Sequence, residues 1–396
     1  MNSAAFSISR LPRIEFGAGG IVKLPALITS LGKRVLLVTG AKSYIESSHW
    51  GALTSALEKR GCTWEVLRVT QEPSPQLVDQ AAEQLRGAGI EVVAAIGGGS
   101  VVDAAKAIAG LLRVSNSVMD YLEGVGAELP YEGPAVPFIA VPTTAGTGSE
   151  ATKNAVLSVR GEHGFKKSFR HESLVPRFAL VDPDLLAGCP PPLIAANGMD
   201  AITQLLESYV SIKANPVTDA LALDGLKHAR DGLFRWYENA AQAVRGRADM
   251  AYAALLSGVT LAQVGLGSVH GLASPLGAFF PIPHGVVCGT LVGAATEINI
   301  RALRQREQAN PALTKYAQVA ALLTGNTYTS GDAALKALIA TLREWTARLD
   351  LPRLGAYGIE RAHFPGIIAH CRGSSMKTNP IVLTDGEVQD ILADRL

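Results

Sequence analysis

The sequence predicts an α/β half followed by an all-α half. Three observations carry that prediction. Between residues 34 and 144, short apolar β-branched runs alternate with helix-patterned segments, the signature of a parallel sheet with helices on its faces. Beyond residue 186 strand signals almost vanish, and long Ala/Leu-rich stretches follow a 3.6-residue period. Between the two lies a proline run at 190–192, which continues neither a strand nor a helix. The expected domains are 1–185 and 186–396, and 396 residues suffice for two cores.

The elements follow in order. RVLLVT (34–39) is a strand ending at Gly40, GALTSALEKRG (51–61) a helix, and TWEVLRV (63–69) a second strand. A helix from Pro75 to Gly87 leads to the strand EVVAAI (91–96), which delivers Gly97, Gly98, Gly99 and Ser100. DAAKAIAGLL (103–112) is a helix, and VPFIAVPTT (136–144) a further strand. The second half contributes helices over 193–211, 217–240, 248–265 and 331–349.

Hydrophobic residues make up 48% of the chain and charged residues 18%, with a net charge of +1 and no charge blocks. That balance argues against a nucleic-acid or anionic-membrane surface. Cys62, Cys189, Cys288 and Cys371 form no CxxC pair and read as buried thiols in a reducing compartment. The start lacks a basic segment followed by an apolar one, and no uninterrupted apolar stretch has the length of a membrane span. The expected location is cytoplasmic.

Two loops suggest a long ligand. The glycines at 97–99 let backbone N–H groups approach a phosphate at a helix start, with Asp103 and Lys106 on the first turns. The spacing is neither GxGxxG nor the P-loop, and three glycines alone are equally a tight turn. After another strand, VPTTAGTGSEAT offers Thr143, Thr144, Thr147, Ser149 and Thr152, where an open α/β sheet binds ligands. The two together point to a dinucleotide. At Gly40 a carboxylate would favour NAD by bonding the ribose hydroxyls; glycine leaves room for a 2′-phosphate beside Lys42 and Ser43, favouring NADP(H) over NAD(H).

His270 and His284 frame the segment VHGLASPLGAFFPIPHG. Two imidazoles from a helix and a following turn can converge on one ion, which a carboxylate completes. Asp200, in GMDAITQLLESY, is the natural carboxylate. Either histidine alone would be a plain polar residue near a core.

GGGSVVDAAK, PTTAGTGSEAT, VDPDL, GMDAITQLLE and HGLASPLGAFFPIPHG occur in the order and spacing of a known family. From PRIEFGAGG to TNP, the chain resembles the iron-containing (group III) alcohol dehydrogenases. The resemblance implies a dehydroquinate synthase-like architecture: a dinucleotide-binding α/β domain, a helical domain and a divalent metal in the cleft. It implies reversible hydride transfer between a nicotinamide cofactor and a small alcohol or aldehyde, in a homodimer or larger homo-oligomer. By the same resemblance Gly97, Gly98, Gly99 and Ser100 hold the pyrophosphate with Asp103 beside it. Thr143, Thr144, Thr147 and Thr152 line the cofactor channel, Lys166 lies near the ribose, and Asp200, His270 and His284 bind Fe²⁺ or Zn²⁺.

Two positions depart from the family. Gln204 stands where a ligating histidine is usual, four residues after Asp200, and its amide oxygen remains within reach of the same ion. Ser274 replaces a histidine near the nicotinamide, so the proton travels by water, by Ser274 or by a ribose hydroxyl. The site therefore has four ligands including Gln204, three plus a water, or a weakened set. The alternatives in function are an oxo-acid reductase of the maleylacetate reductase type and an inactive cofactor-binding relative.

Overall fold

The computed structural model describes residues 5–396. They fall into two units, one formed by Ser9–Val159 with Lys166–Cys189, the other by Pro190–Leu396 with Arg160–Phe165 and the N-terminal residues up to Ile8.

In the first unit the strands are β1 (Arg13–Phe16), β2 (Arg34–Thr39), β3 (Thr63–Arg68), β4 (Val92–Gly97), β5 (Phe138–Pro142), β6 (Asn154–Val159), β7 (Phe165–Arg170) and β8 (Phe178–Val181). The main sheet has the order β1-β8-β5-β4-β2-β3, with parallel pairing throughout. Its central strands are buried along their length, which is why their sequences are continuous apolar runs rather than alternating ones. Helices α1 (Leu24–Thr29), α2 (Ser48–Glu58), α3 (Pro75–Leu85) and α4 (Gly99–Leu111) connect them. From β2 the chain moves outward to β3, then returns to β4 on the other side of β2. The order thus reverses between β2 and β4, and Gly40 and the glycine loop leave the sheet at that switch point, where such folds bind ligands.

Three parts of this unit escaped the sequence. The short strands β1 and β8 pair with each other, in register from Arg13↔Phe178 to Phe16↔Val181. Four residues give too little pattern to read, and β1 alternates charge with apolar side chains. The chain also departs from strand–helix alternation in the two-stranded sheet of β6 and β7, whose connecting residues Arg160–Phe165 belong to the other unit. There Gly161 N–H donates to Ala278 O at 3.1 Å.

The second unit is helical: α5 (Pro191–Val210), α6 (Pro216–Glu238), α7 (Ala243–Val264), α8 (Ser268–Phe279), α9 (His284–Arg306), α10 (Pro311–Thr324), α11 (Gly331–Arg348), α12 (Phe364–His370) and α13 (Asp385–Asp394). The proline run, expected only to break structure, opens α5: Pro190 caps it and Pro191 is its first residue. The missing N–H costs nothing there and the fixed φ suits the first turn. From Ile194 onward α5 is buried on nearly every side, against α6, α7 and α9. α9 has the length and mean hydropathy of a bilayer-crossing helix, but Glu297 interrupts its apolar run, and 89% of its apolar window is buried inside the protein. It is a core helix.

Candidate active site

Asp200, Gln204 and Glu207 lie at i, i+4 and i+7 on one face of α5 and are all buried. His270 sits in the first turn of α8. That turn is pinned from the C-terminal segment: Asn379 Oδ1 accepts from Ser268 N–H at 3.0 Å, and Thr378 donates to Leu266 O at 2.6 Å. His284 is the first residue of α9, after Pro283. Gly285 follows because a Cβ there would lie 2.6 Å from Ala196 O of α5. The Pro-His-Gly turn therefore brings the imidazole against α5, where a larger neighbour would hold α9 away.

These helices converge. His270 Nε2 lies 3.2 Å and His284 Nε2 3.7 Å from Asp200 Oδ1. Cys288, one turn into α9, brings Sγ to 3.5 Å from His270 Nε2 and 3.8 Å from His284 Nε2. One donor atom from each of the four residues falls within 4.8 Å of all the others. The other carboxylate oxygen of Asp200 is buried with no hydrogen-bond partner among the described residues, an arrangement that a bound cation relieves. On the far side of His270, Glu207 Oε2 lies 2.6 Å from Nδ1, while Oε1 accepts from Val269 N–H at 2.7 Å.

Burial pushes the Asp200 carboxyl upward, but the His284 and His270 imidazoles outweigh it and hold the group at about 2. For His270, burial opposes protonation, while Cys288, Glu207 and the Asp200 hydrogen bond raise the pKa well above the usual value. Burial pushes the Cys288 thiol up to about 12. A carboxylate with two imidazoles is a suitable donor set for Fe²⁺ or Zn²⁺.

Of the ligands expected from sequence, Asp200, His270 and His284 come together. Gln204 reaches the edge of the cluster but turns its amide nitrogen toward Asp200 Oδ1, at 3.3 Å; its oxygen lies 3.2 Å from the Ser257 hydroxyl. Ser274 is half-buried in α8, one turn beyond His270. Glu207 and Cys288 were missed. Each had a helical-spacing signal: seven residues from Asp200, and four from His284.

In the sheet unit, the loops after β4 and β5 run side by side. Gly97 pairs with Pro142 in register, and Thr143 N–H donates to Gly97 O at 3.0 Å. Val101 folds over Gly97 so closely that a Cβ would lie 2.5 Å from it. α4 starts at Gly99 with Ser100 in its first turn, and its orphan N–H groups face the loop. Gly98, Gly99, Ser100, Thr143, Thr144 and Thr147 remain partly exposed there. Gly40 ends β2, and Lys42 is exposed two residues on.

Three expected cofactor residues have other partners. Asp103 accepts from Ser149 Oγ at 2.5 Å. Thr152 is buried, and its hydroxyl accepts from Lys106 Nζ at 3.1 Å. Lys106, fully buried, also donates to Ser149 O and Asn154 O, at 2.8 and 2.7 Å. Asp103, Lys106 and Thr152 thus hold the threonine loop in shape. Lys166 pairs with Glu72 at 3.0 Å.

Comparison with known proteins decides the family. The iron-containing alcohol dehydrogenase family matches residues 12–183, and the C-terminal domain of the same family matches 194–396. The chain belongs to the iron-containing alcohol dehydrogenases. As a member of that family it is an oxidoreductase acting on the CH–OH group, of the alcohol dehydrogenase and aldehyde reductase class. It is 32% identical over 387 residues to alcohol dehydrogenase 4 of Saccharomyces cerevisiae (strain YJM789), covering 96% of each chain. It is 32% identical over 287 residues to lactaldehyde reductase of Escherichia coli (strain K12), covering 70% of this chain and 71% of that one. Its fold matches the solved alcohol dehydrogenase of Oenococcus oeni with a TM-score of 0.88, at 26% identity over 99% of this chain and 100% of the other.

Proposed function

We propose that this dehydrogenase holds Fe²⁺ or Zn²⁺ on Asp200, His270 and His284 and interconverts a small alcohol and its aldehyde with NADP(H) or NAD(H). The observation that carries the reading is the convergence of two imidazoles on a buried carboxylate whose second oxygen has no hydrogen-bond partner among the described residues. The bound ion supplies Lewis acidity toward an alcohol or carbonyl oxygen. The chain's own groups do the rest. Glu207 holds the proton on His270 Nδ1 and leaves the Nε2 lone pair for the pocket. Ser274 offers a hydroxyl that passes a proton but does not titrate near neutrality, so no imidazole-controlled step arises at that position.

In the other unit, Gly97, Gly98, Gly99 and Ser100 take the pyrophosphate, while Thr143, Thr144 and Thr147 face the rest of the cofactor. Asp103 and Thr152 serve by holding that loop. NADP(H) is favoured because Gly40 puts no carboxylate at the end of β2 and Lys42 is exposed beside it. A cytoplasmic setting is supported by four cysteines none of which is in a disulfide. A homodimer or larger homo-oligomer completes the reading.

The test is elemental analysis of protein purified without added metal, with NADPH and NADH oxidation over an aldehyde panel, for wild type and Asp200→Ala. Wild type is expected to carry iron or zinc and to prefer NADPH; Asp200→Ala should lose both ion and turnover. Turnover retained by a metal-free Asp200→Ala protein would overturn the metal-dependent reading.

A further inference from the structure

We infer that Cys288, rather than Gln204, is the fourth protein ligand, giving an aspartate–histidine–histidine–thiolate site suited to zinc. The inference rests on the metal-binding reading above and adds to it the identity of one donor. Three observations carry it.

The first is distance. Donors arranged tetrahedrally about one ion, at bond lengths of about 2.0 Å for nitrogen and oxygen and about 2.3 Å for sulfur, stand roughly 3.3–3.6 Å apart. The contacts here are 3.2 Å (His270 Nε2 to Asp200 Oδ1), 3.5 Å (Cys288 Sγ to His270 Nε2), 3.7 Å (His284 Nε2 to Asp200 Oδ1) and 3.8 Å (Cys288 Sγ to His284 Nε2). Adjustments of a few tenths of an ångström bring these four contacts to such spacings, and all four donors lie within 4.8 Å of one another.

The second is placement. His284 and Cys288 lie four residues apart on α9, so one helical face presents both side chains to the same point. Cys288 is fully buried, and the polar groups around its sulfur are those of the cluster itself. The third concerns the competitor. Gln204 points its amide nitrogen at Asp200, and an amide N–H₂ has no lone pair to give a metal. Its oxygen is engaged with Ser257 on α7.

A thiolate in place of a neutral amide makes the donor set softer, which favours zinc over harder divalent ions. Four protein donors still permit a fifth position for a substrate oxygen, as catalytic zinc sites do when they expand.

Cobalt(II) replacing the native ion in the full-length protein tests this, because a thiolate bound to cobalt gives a near-ultraviolet charge-transfer band that nitrogen and oxygen ligands do not. Wild type and a Cys62→Ala/Cys189→Ala/Cys371→Ala variant, which keeps Cys288 as its only thiol, are expected to show the band. Cys288→Ser should lose it and bind zinc roughly 10–100-fold more weakly, whereas Gln204→Leu should keep the band and its zinc affinity. Cobalt bound in wild type with visible d–d bands but no charge-transfer band overturns the inference and leaves the metal site standing. Metal binding lost in Gln204→Leu and kept in Cys288→Ser also overturns it. Failure of wild type to bind cobalt or zinc at all overturns the underlying metal reading as well. The triple variant keeps the inference falsifiable even if Cys288→Ser does not fold.

Discussion

Which nitrogen of His270 faces the cluster is decided by Glu207. One of its oxygens lies against Nδ1 and the other holds the backbone N–H of the preceding residue, so ring and helix start are fixed together. Carboxylates behind a ligating imidazole typically contribute 10–100-fold to metal affinity. Glu207→Gln keeps the shape but replaces the anionic acceptor, and should weaken zinc binding by roughly that factor, measured by competition with a chromophoric chelator. Affinity within twofold of wild type would rule out this role. The three proposed ligands Asp200, His270 and His284 were legible because each stands in a distinctive local sequence. Cys288 was not, because it has no cysteine partner at ligand spacing and its relation is to His284, four residues back on the same helix. Glu207 looked like any acid on an amphipathic helix until α5 proved buried all round.

Among the elements, the apolar strands β2, β4 and β5 were readable, and so was the largely exposed β3; the four-residue β1 and β8 were not, and neither was α9, which is buried on nearly every side and so shows no apolar stripe. β2 and β4 announce themselves as apolar runs, while β1 and β8 become strands through each other. The proline run marks the change of unit at Pro190 and also opens α5, because proline's effect depends on whether it meets the first turn of a helix or its interior. The turn after β5 carries a further cost. Glu150 is 4% exposed, and burial raises its carboxyl to about 7 against a small offset from its own backbone and Lys106. In the unfolded chain the group titrates near 4.5. Between those values the folded state holds the proton more tightly, so stability falls as pH rises from about 4.5 to about 7 and the full cost persists above that. The shift corresponds to about 3 kcal/mol. Glu150→Gln should therefore melt higher than wild type at pH 8 and merge with it near pH 4.5, as followed by thermal denaturation. Parallel curves across that range would show that Glu150 is not the group responsible.

At the scale of the whole molecule, the two-part architecture follows from the change in hydrophobic period, which is a property of long segments and survives local errors. What the period does not reveal is that Arg160–Phe165, inside the first half of the chain, belongs to the helical unit. Among the described residues β1 has a paired neighbour only on the β8 side, and Ile14 and Phe16 are 39% and 41% exposed on it. An open edge strand with exposed apolar side chains is normally covered or blunted. Sedimentation should give a multiple of the 41.5 kDa chain mass, and Ile14→Lys/Phe16→Lys should shift it toward the single chain. A wild-type protein that sediments as one chain at micromolar concentration would exclude the oligomer.

The convergence of α5, α8 and α9 has a consequence for how the protein is made. Asp200 and His270 are 70 positions apart, and Cys288 follows later still. A ribosome must therefore release nearly three-quarters of the chain before the donor set exists in full. On the proposed metal-binding reading, metal acquisition would be a late event in biogenesis, and a truncated product ending before α9 should remain unable to retain the ion however much is supplied.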